Sequence, residues 1–340
     1  MKKGICALII FIMSLFMPVL ASNIDVQATM LSRSNEQDRV WAGTFQLVWN
    51  EFIDKYVRTS VRFWEETPLI AKELNKKSFN YTQLSENCYY KYSGNITKQT
   101  KKIIVKAIKK KFNETSDILD SLDLTPAKNR FLVYAILKKD FEFENEFDKL
   151  GISNFGKNMT AEYFGINNNT NNNIKKSVKV LFYNNSDDFA VTLNTKENEE
   201  VLLYKNTANK DFNSIYRDIN IKASKYKGDK TFTDKDELKI PNIKFNVTKT
   251  FDELTNKRVT GTSFVINDAI ETIIFNMNNK GVRLKSEAAM TIATTALIPE
   301  ENKIAPRYFY FNDTFVVFLK EKDKSSPYFA LRVHDISNYQ

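Results

Sequence analysis

Residues 270–311 read IETIIFNMNNKGVRLKSEAAMTIATTALIPEENKIAPRYFYF, an order that places an uncharged run between two strand-like segments. From Ala288 to Ile298 the run contains no charge, no glycine and no proline, whereas charge is dense on both sides of it. Two prolines then bracket a pair of glutamates and a lysine. Two interpretations are open: a plain core strand followed by its exit turn, or a strand-competent segment held outside the core as a loop.

The N-terminus has the order of a secretory signal peptide. Two lysines precede the apolar run CALIIFIMSLFMPVL, and small residues follow it. The small-x-small rule allows cleavage after Ala21 or after Ala28, which would remove the first 21 or the first 28 residues. An uncleaved membrane anchor is the weaker alternative, because the run is short and Pro18 interrupts it. We therefore expect an exported protein, secreted or associated with the cell surface, without a membrane span.

Length and composition indicate one large domain. The 340-residue chain is 42% apolar, which is enough for a sizeable core, and we expect residues 29–340 to form a single domain. The formal net charge is +9, and seven lysines cluster between Lys98 and Lys111. This cluster could bind a polyanion weakly. The favoured interpretation is the solvated face of an amphipathic helix whose other face carries Ile104 and Ile108.

The sequence omits the residue sets of most catalytic sites. After signal cleavage the chain keeps one cysteine, Cys88, and one histidine, His334, which disfavours an intramolecular disulfide, a zinc site and a Ser-His-Asp triad. The motifs CxxC, HExxH, GxSxG and GxxxxGK(S/T) are absent, and no spacing of Asp and Glu singles out an acid/base pair. We therefore expect no enzymatic activity, no cofactor, no bound metal and no nucleic-acid partner.

Helix-like segments come first in the chain, and strand-like segments follow. Helical apolar spacing occurs in RVWAGTFQLVWNEFIDKYV (39–57), TKQTKKIIVKAIKKKFNE (97–114) and the shorter SDILDSLDL (116–124). From residue 129 onward the chain is rich in β-branched and aromatic residues, with turn residues between the apolar runs. This order predicts an α+β fold of N-terminal helices followed by mostly antiparallel sheets.

The order of these segments resembles that of the serpins. Four stretches are similar, in the right order, to serpin strand motifs: LVYAILKKDFEFENEF (132–147), LKIPNIKFNVTKTFDEL (238–254), IETIIFNMNNKG (270–281) and FNDTFVVFLKEKDKSSPYFALRV (311–333). The similarity spans nearly all of the mature chain and looks like that of a divergent, bacterial-type serpin. It implies a serpin-like α+β fold with an exposed loop that corresponds to the reactive centre.

The resemblance implies a protease inhibitor that acts by loop cleavage and strand insertion. In serpins a protease cleaves the loop, and the N-terminal half of the loop then enters the central sheet while the protease is still acylated. Ser286, Glu287, Ala288 and Ala289 correspond to the serpin hinge. Alternate residues beyond them are small or apolar, as insertion requires. The implied partner is a serine or cysteine protease.

Departures from the serpin pattern leave other functions open. Phe141 stands where the pattern has the tryptophan at which insertion begins, and residues 282–285 separate Gly281 from the hinge. Met290 and Ile292 are larger than the inhibitory pattern favours. A non-inhibitory serpin-like binding or surface protein is therefore the alternative, and an unrelated α+β surface protein is the third interpretation.

Two counts place the scissile residue differently. Counting forward from the hinge by the serpin spacing reaches Pro299, whereas counting back from the closing strands reaches Lys303. We predict Lys303, followed by Ile304, because proline is a poor residue at a scissile bond and a lysine suits a trypsin-like pocket. Leu297 or Ile298 is the alternative for a chymotrypsin-like or cysteine protease.

Overall fold

The computed structural model describes residues 23–127, 130–206, 208–285 and 306–340, with Lys285 described by its backbone only. Three of the five described α-helices lie in the first third of the chain. The helices are α1 (Thr44–Phe52, continued by the π-helical turn Ile53–Val57), α2 (Leu69–Leu74), α3 (Thr100–Phe112), α4 (Asn172–Lys175) and α5 (Phe212–Lys225), with 3-10 turns at Tyr81–Gln83, Glu86–Cys88 and Ile336–Tyr339.

Strands make up most of the remainder and form three sheets and a two-stranded ribbon. The strands are β1 (Asp25–Gln27), β2 (Arg39–Ala42), β3 (Tyr89–Asn95), β4 (Phe131–Glu142), β5 (Asp148–Phe155), β6 (Met159–Ile166), β7 (Val178–Asn185), β8 (Asp188–Asn194), β9 (Glu199–Lys205), β10 (Glu237–Pro241), β11 (Ile243–Thr250), β12 (Lys257–Arg258), β13 (Val265–Ile266), β14 (Ile270–Asn278), β15 (Gly281–Lys285), β16 (Tyr308–Tyr310), β17 (Phe315–Glu321) and β18 (Phe329–Val333). The described strand pairs are antiparallel except β1–β2 and β10–β16. The α+β fold class predicted from the sequence is confirmed.

The largest sheet is buried at its centre. Its seven strands run in the order β1-β2-β18-β17-β9-β8-β7. Six of the seven residues of β17 and all five of β18 are buried, which explains why these strands are almost continuously apolar in sequence. The two strands form an antiparallel hairpin.

A four-stranded sheet, in the order β16-β10-β6-β5, receives the chain after residue 305. Just before β16, the Arg307 guanidinium pairs with the fully buried Asp236 carboxylate, at 2.7 Å between Nη2 and Oδ2. Arg307 also donates to the Asp229 carbonyl at 2.7 Å. The start of β16 is therefore firmly fixed to this sheet.

The third sheet has five strands in the order β11-β14-β15-β4-β3. β15 is antiparallel to both of its neighbours, β14 and β4, and pairs with only one end of each. Gly281 is opposite Asn278 on one side and Glu142 on the other, and Lys285 is opposite Ile274 and Lys138. β15 thus forms a short middle strand between two longer ones.

The five-stranded sheet is covered on both faces. Residues at odd positions of β4 and β14 face the main core and α1. On the other face, Tyr134 and Ile136 of β4 pack with Ile104 and Ile108 of α3 in a separate small core. The lysines of α3 are exposed, as the amphipathic pattern predicted.

Two local predictions differ from the structure. SDILDSLDL forms turns rather than a helix, because such a short segment gains few helical hydrogen bonds and the Ser116 hydroxyl caps the Leu119 N–H in a turn at 3.2 Å. The sequence also indicated that the strand beginning near Ile270 leaves its sheet at Gly281. Instead, a tight turn at residues 279–280 sends the chain back into the same sheet as β15.

Candidate functional site

A gap separates β4 from β14 over part of their length, and we call it the slot. β15 fills it only from Gly281 to Lys285. Farther along, residues 131–137 of β4 pair with β3, and residues 270–273 of β14 pair with β11. No described residue pairs with the edges that face each other across the gap. These edges therefore offer backbone donors and acceptors to one additional strand.

The sequence of β15 suits its position between two strands. Val282 and Leu284 point into the main core and are 2% and 0% exposed, while Arg283 points to the other face, 3.9 Å from the Glu114 carboxylate. A Cβ at Gly281 would lie 2.2 Å from the Phe141 carbonyl oxygen. Glycine is therefore needed where β15 meets β4.

Gly281→Ala is expected to lower the free energy of unfolding by about 1–3 kcal/mol, the usual cost of forcing an added carbon into a packed site. Equilibrium unfolding in urea measures the change. Gly94→Ala in β3 is the control, because its added carbon would meet only the end of the Tyr92 side chain, at 3.2 Å. An equal loss in both variants would show that the close approach to β4 is not the cause.

Within and behind the slot lies a cavity of about 350 Å³. Its walls come from α1, the π-helical turn, the first half of β4 and residues 263–272, and on the other face of the sheet from residues between 116 and 124. The rings of Phe52, Tyr56, Phe131 and Phe264 form one aromatic cluster in these walls, with centroids 5.1–6.3 Å apart. Because the side of this cluster at Phe131 is partly exposed, the cavity reaches the surface.

One acid is buried in this mostly apolar wall. Glu271 is 3% exposed, and the Phe45 N–H donates to its Oε1 at 3.3 Å, whereas Oε2 has no hydrogen-bond partner among the described residues. Lys249 is directly opposite on β11, but its ammonium lies 3.7 Å from the Asp25 carboxylate. Burial raises the pKa of Glu271 well above its usual range, and the hydrogen bond from Phe45 opposes this only in part.

Sequence reasoning missed Glu271, although a signal was present. In the alternating strand, Glu271 shares the face of Ile273, Phe275 and Met277, all of which are fully buried. An acid in the register of buried apolar residues is costly unless it is neutral or paired. That conflict between pattern and residue type would have identified the position.

Glu271→Gln is expected to change how stability depends on pH. The folded-state pKa is raised, so above pH 4.5 the folded protein holds a proton that the unfolded chain loses, and wild-type stability falls as pH rises toward the folded pKa. The variant removes this loss, which amounts to up to about 1.4 kcal/mol per pH unit. Urea unfolding between pH 4 and 8 measures it, with the exposed Glu253→Gln as control. Parallel wild-type and Glu271→Gln curves would contradict a neutral buried carboxyl.

A buried ionic cluster lies beside the filled end of the slot. Lys139, opposite Leu284 of β15, places its ammonium 2.5 Å from both Glu199 Oε1 and Glu321 Oε1. The Tyr328 hydroxyl donates to Glu199 at 2.7 Å. Burial acts to lower the pKa of Lys139, but the two carboxylates outweigh it and the pKa is raised. Burial raises the pKa of Glu199. At Glu321 burial also acts to raise the pKa, but the hydrogen bonds from Lys139 and Ser85 and the charge of Lys139 together outweigh it, and the pKa is lowered.

The hinge residues and the residues of the scissile bond that were predicted from the sequence lie outside the described residues. They are Ser286, Glu287, Ala288, Ala289, Lys303 and Ile304. The structure positions the two flanks, β15 in the five-stranded sheet and Arg307 against the four-stranded sheet. The roles of the six residues stay predictions.

The remaining residues singled out from the sequence have ordinary surroundings. Cys88 is buried, and burial raises the pKa of its thiol to about 11, so a reactive thiolate is disfavoured. His334 is at the surface, with Nδ1 2.7 Å from the Thr314 hydroxyl. In α3, Lys101 pairs with Asp120. Polyanion binding through the segment from Lys98 to Lys111 stays a prediction.

The described part of the chain offers neither a metal-binding cluster nor a membrane-spanning helix. Among these residues, no group of three or more His, Cys, Asp and Glu side chains is arranged to hold a metal ion. None of the helices there has the length and apolar character needed to cross a membrane.

Comparison with known proteins gives matches by structure. No protein-family model and no curated protein matches the sequence. Serpin48, a highly specific serpin in the insect Tenebrio molitor, aligns with a TM-score of 0.50 at 11% identity over 88% of this chain and 92% of its own. Thyroxine-binding globulin in complex with thyroxine aligns with a TM-score of 0.47 at 12% identity over 88% and 93% of the two chains. A human thyroxine-binding globulin complex gives 0.45 at 12% identity over 88% and 92%.

Identity this low carries information about the fold alone. The alignment with Serpin48 covers most of both chains, and the described elements follow the helices-then-sheets order that the sequence indicated. The chain therefore has a serpin-like fold.

Proposed function

We propose that this protein is a secreted protease inhibitor that acts by loop cleavage and strand insertion. The observation that carries the proposal is the half-filled slot between β4 and β14. A strand already lies in one end of it, and the edges in the other end have no described partner. A sheet built in this way can accept the continuation of its own middle strand.

The register of β15 specifies which residues would fill the slot. Continued beyond Lys285, the pairing would place Ser286 opposite Leu137 and Ile273, and the segment up to Ile292 would reach the start of β4. Because side chains alternate between faces, Ser286 and every second residue up to Ile292 would face the core. These side chains are small or apolar, and the intervening Glu287 would face outward.

The chemistry of inhibition follows from this geometry. The protease nucleophile attacks the carbonyl carbon of the scissile residue, the peptide C–N bond breaks, and the new amine leaves with the C-terminal part of the loop. The N-terminal part stays attached to the protease as an ester or thioester. Insertion of this part into the slot would carry the attached protease along the sheet before water can release it. In this proposal the chain inhibits a protease by forming a covalent complex with it and has no catalytic role of its own.

The scissile residue we propose is Lys303. A trypsin-like serine protease would cleave the peptide bond between Lys303 and Ile304. Leu297 or Ile298 is the alternative for a chymotrypsin-like or cysteine protease. Mass spectrometry of the protein after limited exposure to each class of protease identifies the cleaved bond.

The non-inhibitory alternative is also supported by one observation. An inserted strand would pack apolar side chains beside Glu271 and would leave its buried Oε2, which has no described hydrogen-bond partner, without one. A serpin-like protein of this kind would bind its partner or ligand without rearranging the sheet.

Incubation with a panel of serine and cysteine proteases tests the proposal. An inhibitor of this type gives a covalent complex that survives SDS, at the combined mass of the protease and the inhibitor lacking the C-terminal fragment. Complete cleavage by every protease with no such complex would leave the non-inhibitory alternative.

Secretion is part of the proposal, and the fold favours one of the two signal cleavage sites. Ile24, Val26 and Ala28 belong to the main core, and β1 pairs with β2. Cleavage after Ala28 would remove this edge strand, whereas cleavage after Ala21 would leave it intact. We therefore expect N-terminal sequencing of the exported protein to start at Ser22. A start at Thr29 would mean that β1 is dispensable, and retention of Met1 would contradict signal cleavage.

A further inference from the structure

We propose that the cavity behind the slot is a binding site for a small apolar amine, with the hydrocarbon body against the aromatic cluster and the ammonium group on Glu271. The binding site follows from the cavity itself. Only its consequence for inhibition rests on the function proposed above.

The size and walls of the cavity fit a small organic molecule. A volume of about 350 Å³ is within the range of natural ligand sites, which are mostly apolar with a few polar groups that fix orientation. The walls combine aliphatic side chains with the rings of Phe52, Tyr56, Phe131 and Phe264. Aromatic faces favour cations as well as apolar groups, since the ring quadrupole attracts positive charge.

Glu271 supplies the polar anchor. Its Oε2 is buried, has no described hydrogen-bond partner and belongs to a residue that lines the cavity. The nearest candidate cation on the neighbouring strand, Lys249, is engaged by Asp25 instead. The Phe45 N–H occupies Oε1, whereas Oε2 is buried without a described hydrogen-bond partner. An ammonium group at Oε2 would satisfy the carboxylate and the ligand together.

The charges around the mouth also favour a cation. Asp117, Asp123 and Asp268 line the cavity and are exposed, and Arg130 is paired with Asp123 at 2.8 Å between Nη1 and Oδ2. No lysine lines the described walls, although the chain as a whole carries a net charge of +9. This opening is thus locally acidic in a basic protein, which draws amines toward it and disfavours anions.

Binding of an amine should depend on pH in a defined direction. The ammonium binds the ionised form of Glu271, so a carboxyl that is neutral in the empty cavity releases its proton to solvent when the amine binds. Affinity should therefore rise with pH until the amine itself loses its proton. Among the described residues that line the cavity the one cation is Arg130, which pairs with Asp123, and Lys249 on β11 pairs with Asp25.

Isothermal titration calorimetry with 2-phenylethylamine and its neutral isostere 2-phenylethanol tests the site on the full mature protein. We expect the amine to bind at least tenfold more tightly than the alcohol at pH 7.5, with proton release detected by comparing two buffers of different ionisation enthalpy. Glu271→Gln should remove the preference for the amine, while Glu253→Gln at the surface should keep it.

Three outcomes would overturn the proposal: no heat with either probe, equal affinity for both, or an amine preference that survives Glu271→Gln. If the Glu271→Gln variant does not fold, Ala135→Leu, which adds volume at the cavity wall, should weaken both probes. The buffer comparison on the wild-type protein needs no variant at all.

A second experiment tests this binding site independently of the function proposed above. If the protein inhibits a protease by insertion, an amine in the cavity obstructs the slot, and saturating 2-phenylethylamine should at least double the fraction cleaved without complex formation. The alcohol at the same concentration should have a smaller effect. If the protein binds the amine but forms no complex with a protease, the binding site is supported and the inhibitory function is rejected. If it inhibits a protease but does not bind the amine, the inhibitory function is supported and the binding site is rejected.

Discussion

Cleavage of the chain between residues 286 and 305 is expected to raise the melting temperature of the protein by at least about 10 °C. The continued register of β15 brings seven residues opposite β4 and four opposite β14, which adds about ten ladder hydrogen bonds of about 1 kcal/mol each. For a chain of this size each kcal/mol shifts the melting temperature by about 2 °C. Scanning calorimetry of the intact and the nicked protein measures the shift.

Ala288→Pro is the variant that should abolish this gain. If the pairing continued beyond Lys285 on insertion, residue 288 would come opposite Ala135 and Glu271 in the middle of the slot, and proline lacks the N–H that the ladder needs. Cleavage of this variant should leave the melting temperature almost unchanged and give no SDS-resistant complex. Ala296→Pro, beyond the residues that the register brings into the slot, is the matched control and should behave as wild type. An unchanged melting temperature in the cleaved wild-type protein would refute insertion.

Lys139→Met is expected to destabilise the protein by about 3–5 kcal/mol. The substitution keeps most of the side-chain volume but leaves Glu199 and Glu321 buried without their shared cation, and removal of one partner from a buried ion pair carries this cost. Guanidinium chloride unfolding at pH 7 measures it. The loss should shrink as the pH is lowered, because protonation neutralises the two carboxyl groups.

Lys196→Met is the control for this result. Lys196 also pairs with a carboxylate, that of Glu142, but both side chains are about half exposed, and such surface pairs contribute about 0–1 kcal/mol. The contrast between the two lysines isolates the effect of burial. Equal losses in both variants would mean that the buried cluster is no more costly to break than a surface pair.

Local sequence patterns predicted the element types because helices and strands depend on near neighbours. In β14, buried residues alternate with half-exposed ones, as the alternating apolar pattern indicated. In α3, Ile104 and Ile108 face the sheet and the lysines face solvent. The same reasoning was wrong for SDILDSLDL, where a side-chain turn competes with a short helix.

The end of β14 shows where local reasoning stops. The residues Asn279 and Lys280 and the following glycine signal a turn. The sequence predicted that the chain leaves the sheet there, whereas it re-enters the same sheet as β15. Re-entry depends on a vacant position between β14 and β4, whose strands lie more than 120 residues apart in the sequence. It also depends on a glycine at position 281, where an added Cβ would lie 2.2 Å from the Phe141 carbonyl oxygen.

The sequence by itself determined the α+β class, the order of helices and strands and the resemblance to serpins. These properties depend on local periodicity and on the order of segments along the chain. Only the tertiary structure decided that, among the described residues, β15 fills one end of the slot in the five-stranded sheet, that Glu271 lines a cavity, and that Lys139 joins carboxylates 60 and 182 residues away. Each of these features depends on which distant segments become neighbours. That choice is made by burial of the whole chain and not by any one stretch of it.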